Sequence, residues 1–260
     1  MENTLTLEPV EGRPIAVILG GRQNRKKVSL TTVEQGEKPY TQHTLSPSSV
    51  FQHVPNTNTE REVLFITGPS GSGKSTYARN YLKQYKKQYR KNPIYLFSAL
   101  KSDELLDDNL GVKRINVGEN LLQNPIQPED FVEGDVEGAC VVFDDIDVIS
   151  DKKIRNEVYN ILNQLLEIGR HHRITVILTN HLPTAGKDTR RVLNEAHCIV
   201  YFPFSGAKRQ LEYLLTEYVG LDKKEIQGIR QTGTRWACLF KNYPQMCMTE
   251  HTLRLLSASE

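Results

Sequence analysis

The amino-acid sequence predicts an α/β fold: a mainly parallel sheet flanked by helices, with a short β-containing extension before it and a hairpin after it. Three observations predict this. Five short apolar runs recur between residues 63 and 202. Helical periodicity fills two of the intervals between them. A glycine-rich stretch, Gly68-Pro69-Ser70-Gly71-Ser72-Gly73-Lys74-Ser75-Thr76, joins the first run to the first helix.

The runs are 63–67, 93–98, 139–143, 174–179 and 198–202. They are continuous and rich in β-branched residues, as strands covered on both faces are. A helix is expected over 74–90, with Tyr77, Tyr81, Leu82, Tyr85 and Tyr89 on one side. A second is expected over about 152–169, where Ile154, Val158, Ile161, Leu162 and Leu165 recur at helical spacing. Strands alternating with helices imply parallel pairing through crossovers.

Two domains are expected, 1–55 and 56–260. The first is an extension with one strand, 14–19, that ends at Gly20-Gly21. The basic cluster Arg22, Arg25, Lys26 and Lys27 follows, and the Ser/Thr/Asn/Pro-rich stretch 43–60 reads as loop or linker. After residue 205, 206–219 reads as helix through Leu211, Leu214, Leu215 and Tyr218. The segments 235–240 and 245–249 flank Asn242-Tyr243-Pro244 and predict a closing hairpin.

Composition bounds the function. The chain has 33 basic and 31 acidic residues, a net charge of +2, so no global basic field advertises nucleic acid. Any such binding rests on local patches or on assembly. Cys140, Cys198, Cys238 and Cys247 form no C-x-x-C pair and show no zinc-ligand spacing. They are expected to be buried reduced thiols, as in a reducing compartment. No apolar run approaches the roughly 18 residues of a membrane span, and no signal peptide is visible at the N-terminus.

Gly68, Gly73, Lys74 and Ser75 match the P-loop pattern in full, between a strand and a helix. Glycines let the backbone curl so that its N–H groups face phosphate, and the helix N-terminus adds partial positive charge. Lys74 reaches the β- and γ-phosphates of ATP in this reading, and the Ser75 hydroxyl ligates Mg²⁺. Val141-Val142-Phe143-Asp144-Asp145 is an apolar strand ending in acids, the Walker B arrangement. Asp144 holds Mg²⁺, and Asp145 is placed to polarise the attacking water. Asp147 and Asp151 read instead as caps of the next helix.

Small-molecule kinases carry similar loops. The discriminating feature is the run 174–179, which ends in Asn180. In ATPases with an additional strand beside the P-loop strand, a polar residue at that tip senses the γ-phosphate or the water. Before it comes Gly169-Arg170-His171-His172-Arg173. Arg170 is the candidate for stabilising transition-state charge across a subunit interface. Arg173, Arg190, Arg191 and Arg235 are further candidates. His171 and His172 read as surface residues, and His181 as part of a turn, with an aid to sensing as the alternative.

GPSGSGKST, VVFDD, GRHHRITVILTNHLP and NEAHCIVYFPFS together resemble the poxvirus-type genome-packaging ATPases of large DNA viruses and virophages, within the FtsK–HerA superfamily. The resemblance covers about 63–250. It implies a RecA-like P-loop core that assembles as a hexameric or pentameric ring. It also implies ATP hydrolysis that drives double-stranded DNA into a capsid, through a capsid vertex or portal-like component, in the host cytoplasm. Asp145 falls where the superfamily commonly has Glu, and Asn180 where it commonly has Gln. Each is one methylene shorter.

A ring turns a few basic residues per subunit into a collar around DNA. Lys83, Lys86, Lys87, Arg90 and Lys91 form a basic run that also reads as a solvated helix face. Lys101 and Lys113-Arg114 are candidates for channel loops. Two competing readings fit the P-loop: an AAA+-type loader, which needs a helical lid after the core, and a small-molecule kinase, which needs an acceptor-binding lid.

Overall fold

The computed structural model describes all residues except 35, 101, 103, 104, 107–109, 133, 135, 137, 185, 186 and 257–260. The chain divides into two compact units, Glu60–Ala196 and the pair of segments Met1–Thr59 and His197–Glu260.

The two-segment unit begins with β1 (Glu2–Leu7), β2 (Arg13–Leu19), β3 (Lys27–Val33), β4 (Gln42–Thr44) and β5 (Val50–His53). Four of these form an antiparallel sheet in the order β1-β3-β2-β5. Only β2 was expected. β1 (ENTLTL) and β3 (KVSLTTV) carry few apolar residues, so their strand character is thin in sequence. Threonine's branched side chain suits a pleated, half-buried surface, and Leu5 facing Leu30 anchors the register.

The single-segment unit runs β6 (Val63–Thr67), α1 (Lys74–Gln88), β7 (Ile94–Ser98), β8 (Val112–Ile115), α2 (Asn120–Gln123), β9 (Ala139–Asp144), α3 (Lys152–Ile168), β10 (Ile174–Asn180) and α4 (Lys187–Glu195). Its strands lie in the order β6-β10-β9-β7-β8, all parallel. Every residue of β6, β7, β9 and β10 is buried, as predicted from their unbroken apolar runs. Phe97 stacks on Phe143 with ring centroids 4.9 Å apart.

α3 shows how sequence sets its ends. The Asp151 carboxylate accepts from the Lys153 and Ile154 N–H groups at its start. At its end the buried Arg61 guanidinium donates to the Leu165 carbonyl, which also accepts from the Gly169 N–H, and to the Leu166 carbonyl, which lies among the last carbonyls that a helix cannot itself satisfy. Gly169 is required there, since a Cβ would lie 2.3 Å from the Leu165 carbonyl oxygen.

The remaining elements are β11 (Cys198–Tyr201), α5 (Lys208–Leu214), α6 (Lys223–Gln231), β12 (Ala237–Phe240), β13 (Met246–Thr249) and β14 (Thr252–Leu255). α5 runs into a π-helical turn, Leu215–Val219, closed by Gly220 at φ 82°. β12 and β13 form the predicted hairpin, and β14 and then β4 extend it antiparallel. The expected division at 55/56 is therefore corrected. Residues 1–55 do not stand apart, because β4 pairs with β14 and the Phe51 N–H donates to the Glu250 carbonyl at 2.8 Å. Sequence windows cannot see a pairing between the two ends of a chain. Among the described residues no helix is long and apolar enough to cross a membrane.

Candidate active site

Parallel pairing brings the C-terminal ends of β6, β9 and β10 to one edge of the sheet, where ligands of open α/β sheets bind. Asn180 pairs in register with Thr67, and Leu178 with Phe143. The glycine-rich loop leaves from Thr67, Asp144 and Asp145 end β9, and Asn180 ends β10.

The loop is tied at both ends. The Gly68 N–H donates to the Asn180 carbonyl at 3.1 Å, and the Ser72 N–H to the Pro69 carbonyl at 3.2 Å. Gly71 and Gly73 sit at φ 76° and 112°, a region that side chains disfavour. A Cβ on Gly71 would meet nothing within 4 Å, so backbone conformation rather than space demands glycine there. No side chain caps the N-terminus of α1, which leaves its first N–H groups directed at the loop. The Ser72 hydroxyl is buried without a hydrogen-bond partner among the described residues. An uncapped helix start, a buried lysine and an orphaned hydroxyl fit a bound phosphate chain.

Lys74 is 5% exposed. Its Nζ donates to the Gly68 carbonyl at 3.0 Å and lies 3.5 Å from Asp145 Oδ1. Asp144 is buried, and its Oδ1 accepts from the Thr179 hydroxyl at 2.8 Å. Asp145 adopts a left-handed conformation, φ 45° and ψ 43°, which costs a non-glycine residue about 1–3 kcal/mol. Its N–H donates to Thr179 Oγ1 at 3.0 Å, which fixes the turn. Thr179 thus organises both acids, and sequence reasoning missed it. Its sign was a hydroxyl directly before the polar strand tip.

Asp147 and His181 are also drawn into the site. His181 Nε2 lies 3.4 Å from Asp145 Oδ2, and its Nδ1 3.9 Å from Asp147 Oδ1. With its amide oriented to satisfy both ends, Asn180 donates to both Asp147 oxygens at 2.9 and 3.0 Å. Burial raises the Asp147 carboxyl above its usual range; His181 opposes this and Asp145 adds to it. The expectation that Asp147 caps a helix is corrected, and of the two readings of His181 its contacts favour the one beside the sensing residues over a turn role alone. Asp151 alone caps α3, and a 3₁₀ turn over Ile146–Val148 carries Asp147 back to the strand ends. The alternate acids at 145 and 147, and the His after Asn180, were the available signals.

The structure does not bring Arg170 to this group. It precedes β10, whose seven residues span roughly 20 Å. It is 72% exposed and pairs with Glu60 at 2.5 Å, which holds that carboxyl below its usual range. Arg173 and Arg235 are exposed, and Arg191 pairs with Glu167. His171 is exposed, and the half-buried His172 lies 3.3 Å from Glu129. Lys86 donates to the Asn92 carbonyl after α1, and Lys87, Arg90 and Lys91 are exposed. Lys113 and Arg114 lie on β8 rather than on a loop, with Lys113 over the Tyr95 ring. Lys101 lies outside the described residues. All four cysteines are buried and outside any disulfide.

Ser75 and Asp144 each offer an oxygen ligand, the kind a hard cation such as Mg²⁺ takes. Ser75 is the second residue of α1. The arrangement suits a nucleotide triphosphate with its divalent cation.

No family model matches the chain. Over 248 residues it is 40% identical to an uncharacterized protein, V3, of the Sputnik virophage, across 95% of this chain and 96% of that one. The chain belongs to the virophage V3 family. Virophage kinship, drawn above from the motifs, is thereby borne out. For this V3-family chain the cytoplasmic domain of the type VII secretion ATPase EccC of Thermomonospora curvata is a structural neighbour, with TM-score 0.50 and 10% identity. The match covers 88% of this chain and 31% of that one, and shows an α/β ATPase fold. B204, the DNA-packaging ATPase of Sulfolobus turreted icosahedral virus, matches 77% of this chain over its whole length, with 14% identity and TM-score 0.49.

Proposed function

We propose that this V3-family protein is an ATP-hydrolysing motor that moves double-stranded DNA into a viral capsid. The observation that carries the proposal is the convergence of Lys74, Asp144, Asp145 and Asn180 on one strand edge within a virophage family. The motif resemblance and the DNA-packaging role of B204 supply the substrate.

ATP would lie along the loop 68–76, with phosphate oxygens on the N–H groups of the loop and of the start of α1. Ser75 and Asp144 would hold Mg²⁺, which supplies charge neutralisation at the β- and γ-phosphates when bound. Lys74 now shares its charge between the Gly68 carbonyl and Asp145. A triphosphate would compete for that charge and leave Asp145 with His181. Asp145 then accepts a proton from the attacking water. His181 and Asp147 are positioning residues: they aim the Asp145 carboxylate and the Asn180 amide.

Arg170 is far from the site of its own chain, so its proposed role is toward the nucleotide of a neighbouring copy. That requires a ring, hexameric or pentameric, and a capsid vertex or portal-like component for it to work against in the host cytoplasm.

The test is ATP turnover by the purified protein, with and without long duplex DNA, beside Lys74→Ala. DNA stimulation abolished by the substitution is expected. Hydrolysis indifferent to duplex DNA in an assembled ring would sink the proposal and send the search to phosphate acceptors.

A further inference from the structure

The two-segment unit carries a second polar site that the nucleotide chemistry does not use. The turn joining β2 to β3 exposes Arg22, Arg25, Lys26 and Lys27. It is a built turn rather than a loose one. The Gly20 N–H donates to Asn24 Oδ1 at 2.9 Å, and the Arg25 N–H to the Ile18 carbonyl at 2.7 Å. Arg25 itself is held at φ 70°.

A serine-rich loop lies against this turn. A Cβ on Gly20 would stand 2.4 Å from the Ser48 carbonyl oxygen, and one on Gly21 2.2 Å from Ser49 Oγ. The glycine pair is therefore what admits the loop. Ser49 Oγ donates to the Gly20 carbonyl at 3.1 Å, and the Ser46 and Ser48 hydroxyls bond each other at 3.0 Å. The imidazole of His251 fixes the loop's other side through the Ser49 carbonyl at 2.9 Å. Between turn and loop runs a groove of about 640 Å³, whose polar lining is Arg22, Gln23, Thr44, Ser46, Ser48 and Ser49.

We propose that this hairpin and its serine groove dock the sugar–phosphate backbone of duplex DNA. The inference rests on the motor reading above and adds where the DNA is held. Guanidinium, ammonium, amide and hydroxyl groups are the side chains that contact phosphate and sugar oxygens. Leu45 is the single large apolar side chain in the lining, which makes the groove a poor home for an apolar ligand. Four exposed cations, three on the turn and Lys27 at the start of β3, match a polyanion that carries a charge every ~1.7 Å of its axis. No base-edge recognition is needed, as suits a motor indifferent to sequence.

The test is fluorescence anisotropy with long duplex DNA over a salt series, alongside DNA-stimulated ATP turnover, on the full chain. The variant replaces the four cations together: Arg22→Gln, Arg25→Gln, Lys26→Gln and Lys27→Gln. Lys87→Gln with Lys91→Gln serves as the comparison, on the exposed basic run at and just after the end of α1. The hairpin variant should bind DNA about tenfold or more weakly near physiological salt, with a log–log salt slope shallower by about 3–4. Its basal ATP turnover should be unchanged, and its circular dichroism and thermal melt should match those of the unaltered protein, which reports that the two-segment unit folds. The α1 variant should match the unaltered protein. If the unaltered protein binds duplex DNA and the hairpin variant binds it equally well, the docking proposal falls and the motor reading stands. The docking proposal falls likewise if the hairpin variant keeps DNA but loses an acidic capsid component. If the unaltered protein neither binds nor responds to DNA, both fall.

Discussion

Glu60–Ala196 and the unit formed by the two chain ends solve burial differently. The first hides parallel strands on both faces and joins them through helices. The second is antiparallel wherever its own strands pair, and it completes β4 with β14 from the other end of the chain. In the first, every strand but β8 is legible from its own residues, and the candidate site gathers where strands end. In the second, β4 finds its partner only at the other end of the chain, and exposed polar turns lie on its surface. A nucleotide site calls for rigid strand ends, whereas a backbone-docking surface needs only a braced turn.

The comparison is broken most severely by starting the chain at residue 56. This removes β4 and the Phe51–Glu250 hydrogen bond, and uncovers one edge of β14. Chemical denaturation should lose the transition of the two-segment unit, with aggregation through the bared edge. A truncated chain that unfolds like the whole one would contradict the pairing.

Next come the catalytic substitutions. Lys74→Ala should lower ATP turnover by about 10²–10³-fold, the scale for losing a group that stabilises developing charge. Asp145→Asn should cost about 10²–10⁴-fold in kcat while a fluorescent nucleotide still binds. His181→Ala and Asp147→Asn should cost roughly tenfold in kcat, with KM for ATP little changed, and His181→Gln should restore part of the loss. A change confined to KM would reassign both residues to nucleotide binding.

Thiol labelling sharpens the comparison further. Cys140 lies in one unit, and Cys198, Cys238 and Cys247 in the other. Burial raises the Cys140 thiol and pushes the Cys247 thiol up to about 12. Both stay protonated near neutrality, so alkylation requires opening. Saturating ATP should slow labelling of Cys140 and leave Cys247 unchanged, as mass spectrometry of the digested protein would record. The smallest effect expected is Asp222→Ala. It removes a capping box with Glu225 and should lower stability by about 1 kcal/mol in thermal melts.

The parallel strands β6, β7, β9 and β10 and both long helices were legible because each buries its own apolar pattern; half-buried β8, which carries Lys113 and Arg114, was not. β1, β3 and β5 were not, because threonine, serine and glutamine alternate too weakly to signal a face. Within the site, Lys74, Asp144, Asp145 and Asn180 followed from motif spacing and converge as expected. Thr179, Asp147 and His181 did not, since their roles arise from register between β9 and β10 and from one left-handed residue. Arg170 was read from its place before β10, and the structure sets it apart from the site in an exposed ion pair with Glu60.

The joining of β4 to β14 bears on how the protein is made. On the ribosome, everything Glu60–Ala196 needs has been synthesised while the last β-strands are still to come. At about 5–20 residues per second, the roughly 200 residues between β4 and β14 take about 10–40 seconds to make. During that interval β4 has no mate, and the strand that will cover it is the last to be translated. Ribosome-stalled chains ending near residue 200 should therefore hold nucleotide before they acquire protease resistance at residues 42–53.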